Sequence, residues 1–200
     1  GIEYDLLHTH YWLSGYVGTK LAHLWKVPHV VSFHTLAYLK RLAHVEARES
    51  ILRVETERRV VRHADQVIAS SQHEKDALVR HYGASATKVS VIPCGVDINL
   101  FRPIDREIAR DHTNLDKHRR YLLYVGRVEP LKGIDLLIEG MLRLRSNYDV
   151  QLLILGGNQS IDGQREKLLT RVRHLGLGKN VQFLGPKPQE ALPDYYSAAD

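Results

Sequence analysis

Two hundred residues, 44% hydrophobic and 26% charged, make an ordinary globular composition, long enough for one large domain or two modest ones. Lys and Arg outnumber Asp and Glu by 28 to 23. That excess favours anionic partners such as phosphates, but it is spread along the chain without a basic tail, zinc-finger spacing or an aromatic RNA-binding signature, which speaks against nucleic acid. The one cysteine, Cys94, excludes an internal disulfide framework and points to a reducing, cytoplasmic setting; it reads as a small, partly buried residue before a turn. No signal peptide and no apolar run near 18 residues is present. The chain lacks a starting Met, opens at Gly1 just ahead of a strand, and reads as a piece of something longer.

In chain order, Tyr4 to His8 is rich in strand formers, and Leu13 to Trp25 has helical periodicity with Ser14 as a candidate cap. After Pro28, His29 to Phe33 reads as a short buried strand. A long polar helix is expected from about Val45 to Ala64. It is followed by a strand over Gln66 to Ser70, a helix from Gln72 to Tyr82 stopped by Gly83, and a strand over Val89 to Ile92. This β-α alternation builds a parallel sheet with right-handed crossovers.

The segment PCGVDINLFRP interrupts the rhythm and is followed by a highly charged stretch, Ile104 to Arg120. We therefore expect one domain over residues 1–102, a linker over 103–120, and a second domain over 121–200. In the second, strands are expected at 121–125, 150–155 and 181–184, and helices at 133–145, 163–174 and about 189–199. The two halves share a fold rhythm rather than a sequence repeat, and both read as incomplete.

Ligands of open α/β sheets sit beyond the carboxyl ends of the strands. In the first half those ends present His8, His10, Tyr11, Trp12, His34, Thr35, Ser70 and Ser71, side chains that suit sugar hydroxyls. In the second they present Gly126 with Arg127, the turn Gly156-Gly157-Asn158, and Gly185 with Lys187. The loop after Tyr121 to Val125 holds Arg127 and Lys132 five residues apart, with Gly on each side and Pro130 between. A guanidinium and an ammonium so placed suit a diphosphate, although solvated loop charges are the simpler alternative.

Other features have plain readings too. His34 at a strand end serves a site or merely caps and packs. Arg53, with Glu49, Glu55 and Glu57 nearby, fits a solvated helix face. Trp12 reads as a core aromatic. Among twelve histidines, His8, His10 and His34 come nearest to a metal set, but no Cys or carboxylate completes it, so no metal is expected. Lys40 to His63 is basic but interleaved with acids and lacks a Trp/Phe-rich face, so membrane contact is not expected.

Together these segments resemble a known family. The run LLYVGRVEPLKGIDLLIEG resembles the donor-site segment of retaining glycosyltransferases of family four, which have the GT-B fold of two facing Rossmann-like domains. VSVIPCGVDINLFRP is similar to the interdomain segment of that family, and VQFLGPKPQEALPDYYSAAD to the segment leading to its donor-binding helix. HTHYWLSGYVG, SFHTLAYLK and RVETERRVVRHADQVIASS are similar to its sucrose-phosphate synthase and D-inositol-3-phosphate glycosyltransferase branch. The similarity runs in order along essentially the whole chain.

The resemblance implies an α/β chain of GT-B type with both domains truncated: the family's glycine-rich N-terminal loop would precede Gly1, and its glutamate pair would follow Asp200. It implies transfer of a sugar from a nucleotide-sugar, UDP-linked, to an acceptor hydroxyl with retention. The nucleotide-sugar is a substrate, so no cofactor is expected. Arg127 and Lys132 would neutralise the donor diphosphate as the leaving group gains charge, without a metal; consistently, the sequence has no D-x-D pair. Gly156 and Gly157 would admit the nucleotide backbone-close, Lys187 would touch the base, and His34 would bond a donor-sugar hydroxyl. Tyr11, Thr35 and Arg53 match acceptor-side positions, which hints at a phosphorylated sugar or polyol, with Lys40 and Arg41 able to assist. The rival readings are a nucleotide-sugar epimerase on the same fold and a nucleotide-sugar-binding fragment without activity of its own. The sequence leaves the oligomeric state open.

Overall fold

Short apolar runs separated by amphipathic ones fold here into two units, Gly1–Gly95 and Val96–Asp200. The computed structural model describes residues 3–43, 49–157 and 163–200. The first unit holds a parallel sheet of β1 (Leu7–His10), β2 (His29–Ser32), β3 (Gln66–Ala69) and β4 (Val89–Val91), ordered as in the chain. Its helices are α1 (Tyr11–Trp25), α2 (Ala37–Ala43), α3 (Ile51–His63) and α4 (Gln72–Tyr82). Val31, Val67 and Ala69 from the sheet and Phe33 just past β2 meet Val60, Val61 and Leu78 from the helices in a closed core. Helix α1 can lie close on the sheet because Gly18 has no side chain. A Cβ there would stand 2.4 Å from Thr9 Cγ2 and 2.8 Å from Nε2 of His29.

The second unit is built on β5 (Arg120–Val125), β6 (Val150–Leu155) and β7 (Val181–Gly185), parallel and in that order. The central strand is buried on both faces, which is why it reads as a continuous apolar run. Leu152 and Ile154 face α6 (Ile134–Leu144) and α7 (Gln164–His174) through Ile134, Ile138, Met141 and Val172. On the other face, Leu153 and Leu155 join Tyr121, Leu192 and Tyr195, the last two from α8 (Leu192–Ala198).

Several boundaries differ from expectation. Strand β1 starts at Leu7 and runs to His10, because its register with His29–Ser32 of β2 is set by backbone pairing. Ser14 is not the cap of α1: it lies inside the helix and its hydroxyl donates to the His10 carbonyl. Helix α2 was not expected. The expected helix start at Val45, with its residues through Arg48, lies outside the described residues; α3 itself begins at Ile51, where the Ser50 hydroxyl accepts from Arg53 N at 3.1 Å. The units divide between Gly95 and Val96, and the stretch 103–120 is no free linker. It contributes α5 (Arg106–Thr113), which packs on α8. Buried Arg110 fastens it, donating to Ala198 O at 3.0 Å, Asp200 Oδ2 at 2.8 Å and Lys117 O at 2.7 Å. Cys94 is exposed rather than partly buried.

Candidate functional site

At the carboxyl edge of the first sheet, β1 is followed directly, and β2 after Phe33, by a residue on left-handed backbone. Tyr11 has φ 75° and His34 has φ 62°. Side-chain-bearing residues rarely adopt this conformation, which costs of order 1–3 kcal/mol and persists where the surrounding structure enforces it. Beyond the strand ends, His10 Nδ1 and His34 Nε2 meet at 2.8 Å with the two rings stacked at 5.1 Å. The His8 ring lies tilted against His10 with centroids 4.4 Å apart and contacts the Ser32 hydroxyl through Nε2 at 3.0 Å. Burial first, then the neighbouring His10 and His34, hold the His8 imidazole below its usual range. The contact spends one nitrogen of His34 on His10, leaving Nδ1 of that exposed ring for a ligand. Among the described residues, no group of three or more His, Cys, Asp or Glu is placed to hold a metal ion.

Arg53, in the first turn of α3, does not lie on a solvated helix face. It is 4% exposed and committed at all three nitrogens. Nε donates to Glu57 Oε1 at 2.8 Å, Nη1 to Glu49 Oε2 at 2.9 Å, and Nη2 to Thr35 O and Oγ1 at 3.2 and 3.1 Å. Its guanidinium carbon lies 5.0 Å from the centre of the Tyr11 ring. Tyr11, Thr35 and Arg53, from three segments, are thus brought together. Thr35 accepts from Arg53, so its own hydroxyl proton is free to point elsewhere.

Glu57 is wholly buried and also accepts from Ala37 N at 3.0 Å and from the Tyr82 hydroxyl at 2.6 Å. Burial alone would disfavour charge on Arg53, but the hydrogen bond and charge of Glu57, aided by Glu49, raise its pKa above the usual value. The Tyr82 phenol is likewise pushed up, by burial and then by Glu57. Glu49 reaches on to Lys40 Nζ at 3.2 Å; Arg41 stays exposed. The legible signal for this network was the spacing E-x(3)-R-x(3)-E at Glu49, Arg53 and Glu57, which also fits an exposed helix. Trp12 packs, partly buried, against the first core.

In the second unit, the loop after β5 leaves at Gly126. Arg127 is 74% exposed at its side chain and pairs with Glu129 at 2.9 Å, while its carbonyl accepts from the Tyr124 hydroxyl at 2.8 Å. Pro130–Lys132 form a 3-10 turn that ends on Gly133 at φ 64°, and α6 follows with no side chain capping its first turn. Exposed Lys132 therefore sits immediately before the positive end of a helix dipole. Gly156, at the end of β6, has φ 108°, and a Cβ there would lie 2.1 Å from Gly126 O; one on Gly157 would lie 2.8 Å from Val128 Cγ2. The turn after β6 is thus pressed against the Arg127 loop. Asn158 lies outside the described residues. Lys187, after β7, extends over the Tyr195 ring at 5.8 Å. A hollow of about 220 Å³ lies beside the loop, bordered by Val128, Glu129 and Pro130 and by α6 and α7. Neither Arg127 nor Lys132 lines it.

Comparison with known proteins gives matches to both halves. Residues 2–100 match the family model Glycosyltransferase Family 4, and residues 105–200 match Glycosyl transferases group 1. D-inositol 3-phosphate glycosyltransferases of Nocardia farcinica and Gordonia bronchialis are 38% and 39% identical to the chain, over 98% of it and 45% of each of them. Among solved structures, sucrose-phosphate synthase of Thermosynechococcus elongatus superposes with a TM-score of 0.87 at 34% identity, over 98% of this chain and 49% of that one. Anabaena HepE in complex with UDP superposes with a TM-score of 0.81 at 25% identity, over 99% of this chain and 52% of that one. These GT-B glycosyltransferases share the α/β fold of parallel sheets, and the chain spans about half the length of the relatives it matches. No helix of the described residues is long and apolar enough to cross a membrane.

Proposed function

We propose, for a chain that belongs to glycosyltransferase family 4, that the protein moves a sugar from a UDP-linked donor to a hydroxyl of a phosphorylated sugar or polyol, with retention at the anomeric carbon. The observation that carries this reading is the convergence of Tyr11, Thr35 and buried Arg53 in the first unit. A charged guanidinium beside a hydroxyl with a free proton is the grip a phosphate requires. Inositol-phosphate and sucrose-phosphate activities in the names of the relatives support the same class of acceptor.

The second unit takes the donor in this reading. Arg127 and Lys132 neutralise the diphosphate as the sugar–oxygen bond breaks and negative charge builds on the leaving group. Arg127 exchanges Glu129 for a phosphate oxygen, an inexpensive step for a largely exposed ion pair. The free backbone N–H groups at the start of α6 add to the anion field. His34 offers its remaining nitrogen to a donor-sugar hydroxyl, Gly156 and Gly157 present backbone to the nucleotide, and Lys187 lies by the base. The UDP complex of Anabaena HepE supports uracil as that base.

Calorimetric titration with UDP, GDP and ADP tests the donor half. Selective uptake of UDP that Arg127→Ala and Lys132→Ala each abolish is the expected result. Equal uptake by both variants would remove these residues from the donor site, and a preference for GDP or ADP would overturn the choice of donor.

A further inference from the structure

We infer that Glu49 is an internal counterion standing where the acceptor phosphate goes, and that a dianionic phosphate takes its place when the acceptor engages Arg53 through more than one N–H. The inference rests on the acceptor reading above and deepens it, since it makes Glu49 a determinant of acceptor charge.

As folded, every nitrogen of Arg53 has an acceptor, and of its five N–H groups one on Nη1 is left over. Glu57 holds Nε, Thr35 holds Nη2, and Glu49 holds Nη1. One of these partners has to yield before Arg53 grips an acceptor through more than that one N–H. Thr35 gives its backbone carbonyl as well as its hydroxyl, so it is anchored by the chain itself. Glu57 is 0% exposed and carries the Ala37 N–H and the Tyr82 hydroxyl besides Arg53; withdrawing it would strand a buried charge. Glu49 is different. Its side chain is 19% exposed, and its partners among the described residues are the two cations, Lys40 through one oxygen and Arg53 through the other. It is the member that can leave.

The shape of the contact identifies the replacement. Two oxygens on one centre bridge an ammonium at 3.2 Å and a guanidinium at 2.9 Å. A phosphoryl group offers the same pair of oxygens, a third for the Thr35 hydroxyl, and a second negative charge. Lys40, Arg53, Glu49 and Glu57 are balanced, two charges of each sign. A neutral acceptor that displaced Glu49 would leave the two cations with one carboxylate, so the exchange favours a dianion and disfavours a neutral hydroxyl compound. Glu49 thus raises the threshold for binding and makes the phosphate the condition for crossing it.

The experiment titrates the protein with inorganic phosphate at constant ionic strength set with chloride, comparing wild type, Glu49→Gln and Thr35→Val. Arg53 is left intact because its removal would leave Glu57 unpaired. The expected result is phosphate binding about five- to tenfold tighter in Glu49→Gln than in wild type, from loss of one competing ion-pair partner, and weaker in Thr35→Val. Thermal unfolding with and without phosphate gives a second readout: phosphate should stabilise Glu49→Gln more than wild type. Equal or weaker binding by Glu49→Gln, with Thr35→Val still impaired, overturns the role of Glu49 and leaves the acceptor site standing. Failure of phosphate to bind wild type and Glu49→Gln alike overturns the acceptor reading itself.

Discussion

His10 Nδ1 and His34 Nε2 approach to 2.8 Å across the ends of two neighbouring strands. One of the two nitrogens must be without a proton for this contact to exist, since two N–H groups pointed at each other repel. The His8 ring packs tilted against His10, with 4.4 Å between centroids.

That arrangement sets a pH dependence. His8 is held below the usual imidazole value of 6.5 by burial, then by His10 and His34. His29 is lowered as well, chiefly by burial and against the pull of Asp65. With the folded pKa values below the unfolded ones, the unfolded chain binds more protons as the solution is acidified through 6.5. Stability is therefore fully present above pH 6.5 and is lost as the pH falls through the folded values. Urea midpoints measured between pH 7.5 and 5 should decline for wild type and decline less for His8→Gln. A midpoint independent of pH over that range would contradict this account.

The buried acid of α3 should be among the costlier side chains to remove. Glu57→Ala leaves the Arg53 guanidinium, the Ala37 N–H and the Tyr82 hydroxyl without their acceptor, and the expected loss is about 3–5 kcal/mol of unfolding free energy. Tyr82→Phe takes away one donor to Glu57 and the acceptor of Tyr38 N, for about 1–3 kcal/mol. Chemical denaturation of both variants measures the order, and Tyr82→Phe proving the more damaging would sink the account.

Two adjacent glycines should respond differently to the same methyl group. At Gly156 the added carbon meets the carbonyl oxygen of Gly126 and the backbone has φ 108°; at Gly157 it meets a Val128 methyl and φ is 82°. Backbone cannot yield as a side chain can, so Gly156→Ala should cost at least about 3 kcal/mol and Gly157→Ala about 1–2 kcal/mol. Were Gly156 needed only for approach of the nucleotide, its alanine variant would keep its denaturation midpoint and lose UDP binding alone.

Legibility in the sequence followed how local each cause is. The end of helix α4 was readable because Gly83 closes it in left-handed backbone, whereas Ser71, which caps its start, was read only as a strand-end residue. Strand β6 was readable because a central parallel strand is apolar on both faces. Offset β1 depends on pairing with a strand about twenty residues away, and seven-residue α2 is too short for its period to stand out. The site divides in the same way. Tyr11, Thr35, Arg53 and His34 were placed through family resemblance, but burial of Arg53 was hidden: charged residues spaced four apart along a helix read as solvated until Tyr82, from another helix, closes over Glu57. The reason for Gly156 was hidden too, because the atom it must avoid belongs to a different strand end.

The left-handed backbone at Tyr11 and His34 bears on how these positions tolerate replacement. Glycine and asparagine relax such a backbone, while valine, isoleucine and threonine cannot occupy it. At an ordinary surface position the small polar and the β-branched residues would be comparably accepted. In a saturation library selected only for soluble expression, these two codons should therefore enrich for glycine and asparagine. Selected for the sugar transfer proposed above, they should return to tyrosine and histidine, and the difference between the two profiles separates what the chain needs in order to turn from what the proposed substrate needs in order to bind.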